Sequence, residues 1–218
     1  MPRQKNQAER RSHLMDAAMK AVLERGLNGT RLRDIAEEAS VTPASVLYYY
    51  PDIQELFTAV FEHGVATYGR LREERIADAA GAVHQLRACI RSGIPWPGEA
   101  EQTSRLIFEL FPLAMRDKSA AREQRDFIVL QTELYRRVLE SGAADGTFDL
   151  QAPAAAVARS FVALEDGYAL DLLAGACTAE DIEERLLRHA WLTTRNPAFA
   201  PDESSGTTTG EHGRHGPL

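Results

Sequence analysis

The chain has 218 residues, 44% of them hydrophobic, a formal net charge of -7 and two cysteines. That length accommodates a small domain beside a larger one, and Cys89 and Cys177, far apart and each without a nearby Cys or His pair, suggest neither a disulfide scaffold nor a zinc site. No run of about 18 apolar residues occurs and the polar N-terminus leads into no apolar segment, so a soluble, cytoplasmic protein without membrane association is expected.

Charge is unevenly placed. Residues 1–33 carry eight basic side chains (Arg3, Lys5, Arg10, Arg11, Lys20, Arg25, Arg31 and Arg33) against Glu9, Asp16 and Glu24, a local +5 that leaves -12 for the rest. A basic head on an acidic body suits a polyanion-facing surface on a protein that elsewhere repels polyanions; a solvated charged terminus would look the same.

In chain order, residues 1–6 read as a polar arm. Gln7 to Arg25 places Leu14, Ala17, Ala18, Ala21 and Val22 on one helical face, and Gly26 ends it. Thr30 is placed to cap a second helix carrying Leu32, Ile35, Ala36 and Ala39. Only Ser40 and Val41 then precede Thr42, an N-cap, and Pro43, whose missing N–H costs nothing at a first helical position. Two short helices joined so tightly must cross steeply, with Val46 and Tyr50 facing inward. The pattern is a helix-turn-helix or an ordinary αα-corner. Pro51 ends the second helix and Asp52 caps the next.

From Ile53 through Leu71 a long amphipathic helix extends into the second half of the molecule, and its RLREER end reads as solvated charge. A helix with Leu86, Cys89 and Ile90 follows Gly81, and Pro95 to Gly98 form a loop. The run RLIFELFPLAM reads as a buried helix that Pro112 kinks or ends. Further helices are expected over 122–140, from Pro153 to Leu173, and from a Thr178 cap to Trp191, whose first-turn acids and later Arg185 and Arg188 complement its dipole. The segment after Pro197 has no apolar pattern and reads as disordered. The expected fold is all-α, with an N-terminal three-helix helix-turn-helix domain (1–51), a larger helical domain (52–195) and a disordered tail (196–218).

The run Asp34, Ile35, Ala36, Ala39, Val41, then Tyr48, Tyr49, Tyr50, Pro51, Glu55, Leu56 resembles the DNA-binding head of the TetR family of transcriptional regulators in order and spacing. Gly146 and Phe148 before an Ala-rich helix holding Asp166 and Gly167 resemble the family's body. The chain departs from the pattern at Ser40, where Gly is usual, at Leu47, where Tyr is usual, and at Ile53, where a phosphate-binding Lys is usual.

The resemblance implies that residues 52–195 form a ligand-binding and dimerisation domain, and that the protein is a repressor that binds palindromic double-stranded DNA as a homodimer and is released by a small-molecule effector. A recognition helix entering the major groove N-terminus first turns Thr42, Pro43, Ala44 and Leu47 to base edges, with Thr30, Arg31, Arg33, Tyr48 and Tyr49 toward phosphates. Effector contacts are expected among Phe61, Tyr68, Phe108, Phe111, Met115, Phe127, Tyr135 and Tyr168, and a dimer surface from Phe161, Leu164, Leu172, Ile182, Leu186 and Trp191, residues that equally suit an internal core.

An enzyme is the rival class. The six histidines are dispersed, no phosphate loop or nucleophile motif occurs, and adjacent acids such as Glu37 and Glu38 diverge on a helix, so no catalytic residue, cofactor or metal is assigned. His212 and His215 are read as solvated. A helical adaptor or ligand-binding protein that has lost specific DNA binding remains the alternative, given Leu47 and Ile53.

Overall fold

The computed structural model describes residues 2–201, with side chains from Gln7 onward, so His212 and His215 lie outside the described residues. Nine α-helices and one short 3-10 turn are found among them: α1 (Pro2–Arg25), α2 (Leu32–Glu38), α3 (Pro43–Tyr49), α4 (Ile53–Ala77), α5 (Ala82–Gly93), α6 (Glu99–Ala114), α7 (Lys118–Ala144), α8 (Ala154–Leu173) and α9 (Ala179–Thr194), with the turn at Pro197–Phe199. The first helix is longer than its sequence pattern, beginning at Pro2 where a free arm is expected.

The head is held by Ile35, Ala36, Ala39, Val46 and Tyr50 packed onto the Leu14, Ala17, Ala18, Ala21 and Val22 face of α1. Thr42 caps α3 through the Ser45 N–H at 3.2 Å, and Asp52 caps α4 through the Gln54 N–H at 3.0 Å. Thr30 is not a cap. Its buried hydroxyl lies 2.8 Å from the Gly26 carbonyl and 3.1 Å from that of Ala21, tying the loop back to α1, while Arg31 takes the N-cap position and donates its N–H to Asp34 at 2.8 Å. Ser40 sits at φ +52°, the left-handed backbone that an L side chain resists; this is the physical reason for a glycine there.

Packing does not stop at residue 51. Leu56, Phe57, Val60, Phe61 and Val65 of α4, with Leu106, Ile107 and Leu110 of α6, share the head's apolar cluster. A second cluster joins α5, α7, α8 and α9, and Phe199 enters it at 2% exposed, beneath the Arg87 guanidinium. Residues 196–201 are therefore ordered where a disordered tail is expected: one aromatic ring docks in a segment too short to show periodicity.

The body's second correction is larger. Arg72, in the RLREER stretch read as solvated, is 1% exposed and paired with Glu165 of α8, itself 3% exposed, through contacts of 3.0 Å from both terminal nitrogens. The same guanidinium donates to Gln131 Oε1 at 2.9 Å, to the Cys89 carbonyl at 2.9 Å and to Tyr68 Oη at 3.1 Å, while the Tyr135 hydroxyl donates to Glu165. One ion pair thus ties α4, α5, α7 and α8. Gly93 makes room for it, since a Cβ there would lie 1.9 Å from Glu165 Oε1.

Two outcomes are expected in denaturant titrations. Ser40→Gly relieves the left-handed strain and raises stability by about 1 kcal/mol. Glu165→Gln leaves the Arg72 charge buried without its counter-ion and costs about 3–5 kcal/mol, whereas Glu73→Gln, at the exposed pair with Arg137, costs under about 1 kcal/mol.

Candidate DNA-binding surface and effector cavity

The tight α2–α3 turn leaves α3 with one face in the core and the other in solvent. Val46 and Tyr50 point inward, whereas Thr42, Pro43, Ala44, Leu47 and Tyr48 are exposed, Leu47 at 40% and Tyr48 at 71%. The Thr42 hydroxyl is engaged as a cap and lies 3.0 Å from Ser45 Oγ, so the two hydroxyls form one polar unit. Ser45 carries no signal in sequence, because its half-buried position depends on the helix's rotation.

Exposed cationic groups lie on the neighbouring segments of the head. Arg31 is exposed, and Arg33 has its side chain 74% exposed, 3.7 Å from Asp34. From α1, Arg11 donates to the Tyr49 carbonyl at 2.6 Å and stacks its guanidinium 4.1 Å over the Tyr50 ring, fixing the end of α3. Arg10 and His13 line a groove with Ser45 and Tyr49, a proximity that links residues some 35 positions apart and is invisible to local pattern. Tyr49 is half-buried, edge-on to Tyr48 at 5.1 Å. Thr30, with its hydroxyl turned inward at 7% exposure, drops out as a side-chain phosphate contact. Ile53 is half-buried and packs against the head.

A cavity of about 290 Å³ lies in the body between α4, α6, α7 and α8. Of the eight expected effector residues, Tyr68, Phe108, Phe111 and Phe127 line it and the other four do not. Phe61 lies two turns nearer the head and is consumed by the head's core. Tyr135 stacks on Phe161 at 4.7 Å, behind Glu165. Tyr168 is rotated to the other side of α8, under the Arg185 guanidinium. Met115, beyond the last turn of α6, is 77% exposed.

The polar lining leaves no mark on the sequence pattern, apart from Asp166 in the acidic-Gly pair. Gln124, Gln131 and Glu165 join Asp166 there. Burial, then the neighbouring Glu165 charge, push the Asp166 carboxyl up to about 6. Burial pushes the Tyr68 hydroxyl up to about 12, so it stays neutral, donating toward the Gly93 carbonyl at 3.4 Å.

No cluster of three or more His, Cys, Asp or Glu side chains placed to hold a metal occurs among the described residues, and no helix there is long and apolar enough to cross a membrane.

Residues 14–60 match the family model for bacterial regulatory proteins of the tetR family, and residues 82–191 match that for the C-terminal part of BetI-type transcriptional repressors. Among curated relatives, the regulator BetI of Paraburkholderia xenovorans is 29% identical over 189 residues, covering 85% of this chain and 91% of its own. AcrR of Shigella flexneri is 30% identical over 102 residues, 47% of each chain, so the match spans about half of that relative. Among solved structures, a regulator from Saccharomonospora viridis in complex with choline superposes with a TM-score of 0.77 at 19% identity, covering 82% of this chain and 94% of that one. A TetR regulator from Haloarcula marismortui gives 0.78 at 18%, covering 86% and 99%. With both halves matched in order onto an exposed helix-turn-helix and an all-helical body, the chain belongs to the TetR family of transcriptional regulators.

Proposed function

We propose that the protein is a repressor that binds a palindromic operator as a homodimer and leaves it when a small molecule occupies the α4–α8 cavity. The observation that carries this reading is the outer face of α3, exposed at Thr42, Pro43, Ala44, Leu47 and Tyr48, with Arg10 beside Ser45 and Tyr49 and with Arg31 and Arg33 exposed at the start of α2. With a Thr42–Ser45 hydroxyl pair and otherwise apolar side chains, that face reads bases through thymine methyls and groove shape, and the arginines supply the grip on phosphate.

Two helices that border both the cavity and the head support the effector-release reading. Helix α6 presents Phe108 and Phe111 to the cavity, and its Glu109 carboxylate accepts the Leu27 N–H at 3.3 Å in the loop entering the helix-turn-helix. Helix α4 carries Tyr68 and Arg72 at the cavity end and Leu56 to Phe61 in the head. A ligand that favours one placement of these two helices shifts the head with them, and a coupling of about 1–3 kcal/mol changes operator affinity by about 5- to 150-fold. The choline-bound neighbour supports a small molecule as the effector.

Phe161, Ile182 and Leu186 are fully buried within one chain, so they cannot form the dimer surface expected of them. Leu164, Leu172 and Trp191 are half-buried, and the exposed face of α8 adds Ala156, Ala163 and Gly167, with Leu170 at 52% exposed and Leu192 of α9 at 47%. Small residues let two such helices approach closely about a two-fold axis, as paired half-sites require.

Fluorescence anisotropy on the DNA beside the protein's own gene tests the first part. Arg33→Ala is expected to weaken binding and to reduce the salt slope by about one for each phosphate no longer held, with Tyr48→Phe weaker in effect and neither lowering the melting temperature. Absence of DNA binding by the unaltered protein would favour the adaptor reading. In sedimentation, a dimer at micromolar concentration is expected, and Gly167→Trp, where a Cβ meets open space, is expected to give folded monomers with weakened operator binding. A monomeric unaltered protein would remove the dimer.

A further inference from the structure

The cavity's charge is one-sided. Its lining holds two carboxylates, Glu165 and Asp166, and no Lys, Arg or His side chain among the described residues. Glu165 is already neutralised by the guanidinium of Arg72, whose terminal nitrogens are both committed to it and to Gln131, Tyr68 and the Cys89 carbonyl. Asp166 has no hydrogen-bond or ion-pair partner among the described residues, and Glu165 and Arg72 are the charged groups beside it inside the fold, with Arg159 two turns back on α8. What remains is a single carboxylate without a hydrogen-bonded partner, in a lining that also holds Tyr68, Phe108, Phe111 and Phe127 and the amides of Gln124 and Gln131.

We propose that this cavity selects a protonated amine on an apolar body, with Asp166 as the counter-ion and the aromatic rings around it receiving the rest of the ligand. The proposal rests on the reading of the cavity as the effector site and specifies the chemistry of what enters. An N–H donor gives Asp166 the charge-assisted hydrogen bond that the protein does not supply. The negative faces of the rings favour the same cation. An anion meets the opposite situation: a like charge at Asp166 and no free basic group in the lining to offset it. A neutral hydroxyl finds acceptors at Asp166 and at Gln124 Oε1, which is buried without a partner, but brings no counter-charge. The volume of about 290 Å³ is at the small end of ligand pockets and restricts the body to roughly one ring and a short chain.

Three matched probes isolate the charge: 4-phenylbutylamine, 4-phenyl-1-butanol and 4-phenylbutanoate, titrated calorimetrically into the full chain and into its Asp166→Asn variant. The expected order is amine tighter than alcohol by at least about tenfold, with the carboxylate weaker again. In Asp166→Asn the amine falls to the level of the alcohol and the alcohol keeps its affinity. An alcohol or carboxylate that binds the unaltered protein as tightly as the amine overturns the proposal, as does undiminished amine binding by the variant or no binding of any probe. DNA binding measured on the same two preparations separates the failures: intact operator binding without charge preference removes this inference alone, and charge-selective binding by a protein that does not bind DNA removes the repressor reading instead.

Discussion

The body depends on one buried ion pair. A guanidinium and a carboxylate that are each almost wholly removed from water stay folded only if their hydrogen-bonding capacity is met inside, and Arg72 and Glu165 come close to that condition with help from Tyr68, Gln131, Tyr135 and the Cys89 carbonyl. Arg72 Nε alone is left without an acceptor. The arrangement fixes more than stability. Directional bonds from four helices set the rotation of α4 and α8 about their axes, which apolar packing constrains less sharply. Rotation of α8 decides that Asp166 meets the cavity while Gly167 faces outward, so one pair of charges positions both the cavity-facing and the solvent-facing sides of that helix.

The head is governed by apolar packing and backbone geometry instead. Small residues at Ala36 and Ala39 admit close approach, Val46 and Tyr50 fill the angle, and the strained Ser40 turn directs α3 outward. Because the same apolar cluster runs on into α4 and α6, the head is joined to the body by side chains as well as by sequence. Helices α4 and α6 each contribute both to the cavity lining and to the head's own core.

Local features of this chain are legible in sequence because their causes are local. Helix spans follow apolar spacing, Thr42 and Asp52 cap as their positions demand, and the family pattern around Asp34 to Leu56 marks the helix-turn-helix. What escapes is anything whose partner is distant. Arg72 looks solvated because Glu165 lies 93 positions away. Phe61 and Tyr68 share a face of α4, yet two turns of rise separate a core ring from a cavity ring. Thr30 has a capping residue's chemistry and hydrogen-bonds backward into α1, leaving the N-cap position to Arg31. Phe161, Ile182 and Leu186 have the hydrophobicity of an interface and the burial of a core, a difference that composition alone does not carry.

Pro112 has a consequence of its own. The helix α6 continues through it to Ala114, although a proline has no N–H to offer the Phe108 carbonyl one turn back. Phe108, Phe111 and Pro112 all border the cavity, so the missing rung of the helical ladder falls at its wall. A helix that lacks a rung bends there at lower cost than elsewhere along its length. The wall that includes the exposed Phe111 ring is thus the part of α6 that bends at least cost.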